Sequence, residues 1–116
     1  MVNRNFDFNK LVENINLDKN IFQPNLTSQL SIETAFSEIQ NNSKVLDLGC
    51  GCGIIGIAVM KNFLNINMCC SDLDEKSVEI TKSNFSQHNL QADIRLGNLF
   101  EPWKESKFDY IINDVS

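Results

Sequence analysis

Apolar positions change their spacing at Lys44. Before it, "FDFNKLVENI" places Phe8, Leu11, Val12 and Ile15 at helical intervals, which predicts a short amphipathic helix. Pro24 interrupts that pattern, and Asn25, Thr27 or Ser28 then offers a cap for a second helix with Leu30, Ala35, Phe36 and Ile39 as its buried face. Asn41, Asn42 and Ser43 read as a loop. After it, short apolar runs alternate with longer periodic stretches. "KVLDLG", "INMCCSD", "ADIRLGN" and "FDYIIND" read as strands. A helix is predicted from Ile54 to about Leu64, and a second over "DEKSVEITKSNFSQHN", where Val78, Ile80, Thr81 and Phe85 face inward and Asp74 is the N-cap. "LFEPW" is a turn.

Strand–helix–strand crossovers of this length pair their strands in parallel, and their handedness predicts a Rossmann-like, doubly wound α/β sheet of order 3-2-1-4. We divide the chain into an N-terminal helical segment, residues 1–43, and a Rossmann-like domain, residues 44–116.

Composition narrows the class. The chain has 116 residues, 42% apolar and 22% charged, which suits one soluble domain. A net charge of -5 argues against a general grip on nucleic acid. The sequence holds no run approaching the roughly 20 apolar residues of a membrane span, and its first ten residues carry no apolar signal core, so a cytoplasmic protein off the membrane is the expectation. Cys50, Cys52, Cys69 and Cys70 form C-x-C and C-C pairs, which lack zinc spacing. With a single histidine, His88, no metal site is expected. Cys69 and Cys70 read as buried strand residues, and Cys50 and Cys52 as lining a glycine loop.

That loop, "VLDLGCGCGIIGIAV", carries the candidate chemistry. Alternating glycines let backbone approach a ligand, and the helix that follows favours negative charge at its start. Read from Gly51, "GCGIIG" matches the dinucleotide fingerprint, with Asp72 placed 19 residues after Gly53 as a ribose acid. Asp47, however, lies two residues before Gly49, and a carboxylate close to a pyrophosphate is repelled. It suits a cationic nucleoside such as S-adenosylmethionine, which carries a sulfonium and an ammonium and no phosphate. Asp72, with two acceptor oxygens, suits both ribose hydroxyls.

"VLDLGCGCGIIGIAV", "CSDLDEKSVEITKSN", "RLGNLFEP" and "FDYIIND", in this order, resemble consecutive motifs of class I S-adenosylmethionine-dependent methyltransferases. The likeness is to the methyltransferase small domain branch, which includes release-factor glutamine and ribosomal RNA guanine methyltransferases, and it covers roughly residues 22–113. The resemblance implies that Asp47, Gly49, Cys50, Gly51 and Gly53 surround the methionine part, that Asp72 and Leu73 meet the ribose side, and that Asn98 and Leu99 meet the adenine. It also brings Phe22, Pro24 or Thr27 near the ligand. The acceptor is left open, with RNA and protein as classes.

Two departures stand beside the likeness. Where the amino-methylating branch continues into Asn-Pro-Pro-Tyr, this chain reads "IINDVS", leaving Asn113 and Asp114 as the candidates to orient a substrate. The family sheet has seven strands and four are visible here, so a truncated domain that binds cofactor but does not catalyse alone is expected. Its fourth strand would be an open edge, suited to self-association. A nicotinamide-dependent oxidoreductase and a non-catalytic binding module of the same fold are the competing readings. Trp103 reads as a packing residue ahead of a substrate platform.

Overall fold

β1 (Lys44–Leu48) lies inside the sheet, with both of its flanks occupied. It pairs in parallel with β2 (Asn67–Asp72) on one side and β4 (Tyr110–Asn113) on the other, while β3 (Asp93–Leu96) pairs in parallel with β2. The sheet order is β3-β2-β1-β4, as the crossover pattern predicts. The computed structural model describes residues 6–18 and 23–114, so Phe22 lies outside the described residues.

The register sorts residues between the two faces. Val45, Asp47, Met68, Cys70, Ile94, Tyr110 and Ile112 share one face. That face forms a single core with side chains of α1 (Phe8–Glu13), α2 (Leu26–Glu38), α3 (Ile54–Asn62) and α4 (Glu75–Gln87). On the opposite face Leu46, Leu48 and Cys69 are covered by Trp103, from a 3-10 turn at Glu101–Trp103, with Phe108 beside it. Trp103 is thus a packing residue, with its ring meeting Phe108 edge-on at 5.7 Å.

Local chemistry explains most element boundaries. Asn25 caps α2 through a reciprocal pair with Ser28, its Oδ1 accepting from the Ser28 amide at 3.2 Å. Asp74 caps α4, accepting from the Lys76 amide and the Ser77 hydroxyl. α3 ends at Asn62, short of the expected Leu64. Phe63 leaves the helix in extended conformation and packs edge-on against Phe36 at 5.6 Å, leaving Leu64 exposed. The expected burial of Leu30 is also corrected. The inward face of α2 is Ser28, Ile32, Ala35 and Phe36, continued by Ile39, and Leu30 lies roughly 200° around the helix from Ser28 and is exposed. No helix among the described residues is long and apolar enough to cross a membrane.

Candidate functional site

The turn between β1 and α3 is built from glycine because its backbone demands it. Gly53, the residue before α3, sits at φ +88°, and a Cβ there would come within 2.9 Å of Thr81 Cγ2 and 3.1 Å of Phe85 Cε1. The loop therefore rests directly on α4. Its amides are largely spoken for within the chain. Gly49 and Cys50 both donate to the Ser71 carbonyl, at 2.9 and 3.0 Å, and Gly53 donates to the Cys50 carbonyl at 2.8 Å. The Gly51 amide donates to Asp72 Oδ2 at 2.9 Å, and the Asp74 amide holds Asp72 Oδ1 at the same distance.

Beneath this loop lies Asp47. It points to the helix-covered face, in register with Cys70 on one side and Ile112 on the other. It is 0% exposed, and neither carboxylate oxygen has a hydrogen-bond partner among the described residues. Burial, and then the charges of Asp114 and Asp72, push its pKa up to about 8, so the acid is protonated at neutral pH. An uncompensated buried carboxyl of this kind is costly, and a positively charged partner within reach would lower that cost. Asp114 stands at the end of β4 and accepts from the Ser31 hydroxyl of α2 at 3.1 Å.

Of the remaining candidates, Leu73, Asn98, Leu99 and Asn113 lie at or just beyond the carboxyl ends of β2, β3 and β4, and Pro24 and Thr27 around the start of α2. Leu73 and Leu99 are 72% and 62% exposed, and Asn98, next to Leu99 in sequence, is exposed as well. The Gly97 amide donates to the Asp72 carbonyl, which ties the turn after β3 to the end of β2. Leu99 adopts φ +48°, a left-handed conformation rare for leucine. Asn113 is in register with Leu48 and exposed, and Pro24 is half-buried while Thr27 is exposed. Cys50 and Cys52 are buried under the loop, the Cys52 thiol pushed up to about 11 by burial. The hydrogen bond between Cys70 and Cys50, followed by burial, holds the Cys70 thiol above the usual range.

Three residues of the site escaped the sequence reading. By sequence Thr81 reads as a core-facing helix residue, yet its hydroxyl donates to the Gly51 carbonyl at 2.8 Å. Asn84 donates to the Cys52 carbonyl at 2.8 Å. Ser31 holds Asp114. The available signal was a polar series, Ser77, Thr81 and Asn84, at intervals of four and three along the face that also carries Val78 and Phe85. All three are buried, which a solvated face would not require.

Comparison with known proteins gives a consistent picture. The family described as "Methyltransferase small domain" matches residues 22–114. A release factor glutamine methyltransferase of Clostridium botulinum is 32% identical over 107 residues, covering 87% of this chain and 38% of the relative. A ribosomal RNA small subunit methyltransferase C of Haemophilus influenzae is 34% identical over 84 residues, covering 71% of this chain and 25% of the relative. The chain thus spans between a quarter and about two fifths of the length of these relatives. Among solved structures, coclaurine N-methyltransferase bound to N-methylheliamine and S-adenosylhomocysteine (SAH) superposes with a TM-score of 0.67 at 18% identity, covering 97% of this chain and 37% of that one.

Proposed function

Because the chain belongs to the methyltransferase small domain family, we propose that it is the S-adenosylmethionine-binding part of a methyltransferase whose acceptor is a group on a protein or an RNA. The observation that carries this reading is Asp47, fully buried, unpartnered and sited under a glycine loop. A cationic ligand end supplies what that carboxyl lacks. The relatives named as release-factor and ribosomal RNA methyltransferases supply the two acceptor classes.

The residues fit the cofactor's chemistry part by part. Asp47 would face its ammonium end, either directly or through water, beside the Gly49–Gly53 loop. Asp72 is pre-set by two backbone amides, and its remaining lone pairs are free to accept from ribose hydroxyls. Leu73 and Leu99 present exposed apolar surface for a purine ring, and Asn98 an amide for its edge. When bound, S-adenosylmethionine supplies an activated methyl group carried on a sulfonium. Asn113 and Asp114, at the end of β4, would orient an acceptor and take up its proton.

The dinucleotide reading has weaker support. The amides a pyrophosphate would need, at Gly49, Cys50, Gly51 and Gly53, already donate within the chain. A buried acid below them adds no attraction for an anion. Calorimetric titration tests the choice, with SAH and the nicotinamide dinucleotides as ligands. Binding of SAH alone is expected; binding of a dinucleotide with none of SAH would overturn the proposal.

A further inference from the structure

Asn84 reaches in two directions at once. Its side chain is 0% exposed on α4, and its Nδ2 donates both to the Cys52 carbonyl in the glycine loop, at 2.8 Å, and to the Asn16 carbonyl, at 2.9 Å. Its Oδ1 accepts from the Asn16 amide at 2.7 Å. Both donor hydrogens and the acceptor are therefore engaged, and no other side chain of this size offers the same set in one plane. Residue 16 belongs to the N-terminal segment, 68 positions away in the chain.

The stretch from Asn14 to Asp18 lies along α4 as a strap. His88 Nε2 donates to the Asn14 carbonyl at 2.8 Å near the C-terminal end of the helix, Asn84 holds Asn16 one turn earlier, and Lys76 pairs with Asp18 at 3.3 Å near its N-terminal end. The strap thus runs toward the end of α4 that follows Asp72. On the same helix Thr81 holds the Gly51 carbonyl, so two successive turns of α4 grip two loop carbonyls, at residues 51 and 52. Only the Asn84 grip is shared with the strap.

We propose that Asn84 is a positioning residue that couples the seating of the Asn14–Asp18 strap to the shape of the glycine loop, so that cofactor and strap each stabilise the other. The proposal rests on the cofactor reading above. A buried amide with all its hydrogen bonds made has one favoured orientation. Movement of the Cys52 carbonyl must therefore cost the Asn16 bonds, and release of the strap must loosen the loop. Linkage makes the effect reciprocal: whatever the strap contributes to ligand affinity, the ligand returns as protection of the strap.

The test is amide hydrogen exchange on the full chain with and without saturating SAH, beside calorimetry. In the unsubstituted protein, SAH is expected to slow exchange at residues 14–18 at least threefold, although none of them belongs to the ligand site. Asn84→Asp keeps the shape and removes both donors. It is expected to weaken SAH about tenfold and to abolish the slowing at residues 14–18 while that at Gly51 persists. His88→Ala frees the strap at its far end, and a two- to threefold loss of SAH affinity is expected. A strap whose exchange ignores bound SAH overturns the coupling, as does His88→Ala with a faster-exchanging strap and full affinity. Absence of SAH binding by the unsubstituted protein overturns the cofactor reading and the coupling with it; binding without strap protection overturns the coupling alone.

Discussion

The Gly51 amide donates to Asp72 Oδ2 at 2.9 Å, so the acid that ends β2 is bound to the loop that begins after β1 before any ligand arrives. Its other oxygen is fixed by the Asp74 amide. Two neighbouring parallel strands thereby present one rigid acceptor at their carboxyl ends, whose orientation would cost nothing further if a ligand used it.

Asp72→Asn replaces one of those acceptor oxygens with a donor that faces an N–H group. Hydrogen bonds to a charged partner contribute about 1.5–3 kcal/mol each. SAH affinity measured by calorimetry is expected to fall roughly ten- to a hundredfold. Unchanged affinity would remove Asp72 from the ligand site.

Asp47 gives the chain an unusual pH dependence. Its folded pKa is about 8, against about 3.9 for an unfolded aspartate, so between these values the folded chain holds a proton that the unfolded chain has lost. Stability from this group therefore falls as pH rises from about 4 to about 8, by up to about 1.4 kcal/mol per unit, and levels off above. Asp47→Asn removes the titration. Denaturant unfolding at pH 5, 7 and 9 is expected to show the substituted chain gaining on the parent at each step. Parallel pH profiles would contradict the assigned burial.

The same proton bears on binding. A cationic ligand end favours the ionised acid, so binding below pH 8 must release the proton first. SAH affinity is expected to rise with pH between 6 and 8, by at most tenfold per unit, and the rise should vanish in Asp47→Asn. Calorimetry in buffers of differing ionisation enthalpy would register the released proton directly.

Much of this was legible in the order of residues. The four strands, their 3-2-1-4 order and the caps at Asn25 and Asp74 follow from short apolar runs, crossover length and Asx chemistry. The glycine loop and Asp72 announce themselves by spacing. Asp47 reads from sequence as a carboxylate suited to a cationic ligand but not as a buried one, because burial depends on which strand face meets the helices, and register sets that face. Thr81 and Asn84 lie in a local polar series, but their partners, backbone carbonyls 30 and 32 positions away, cannot be read from it, and Ser31 has no such series to mark its bond to a carboxylate 83 positions away. Leu30 misled because an apolar residue in a helix carries no mark of its angle to the core until the remaining face is settled.

The glycines of the loop are not equivalent. Gly49 has φ +73° and open space around its Cα, whereas Gly53 at φ +88° faces Thr81 and Phe85. Gly49→Ala bears only the left-handed backbone cost of about 1–2 kcal/mol. Gly53→Ala adds a collision with two buried side chains, for a further 1–3 kcal/mol or so. Thermal unfolding should rank Gly53→Ala well below Gly49→Ala, and equal midpoints would mean that the loop does not rest on α4.

Trp103 offers a check on the second face of the sheet. It is 3% exposed and closes over Leu46, Leu48 and Cys69, while Arg95, held in a two-pronged pair with Asp93, stacks on its outer side with the guanidinium carbon 4.3 Å from the ring centroid. Its indole N–H has no acceptor among the described residues. Trp103→Ala therefore removes the lid and is expected to cost about 3–5 kcal/mol in denaturant unfolding. Trp103→Phe keeps an aromatic surface for Arg95 and discards a buried donor whose desolvation is uncompensated, so the volume it loses is offset by about 1–3 kcal/mol. The Phe chain should remain close to the parent in stability. A Phe chain as unstable as the Ala chain would place a hydrogen-bond acceptor at the indole nitrogen.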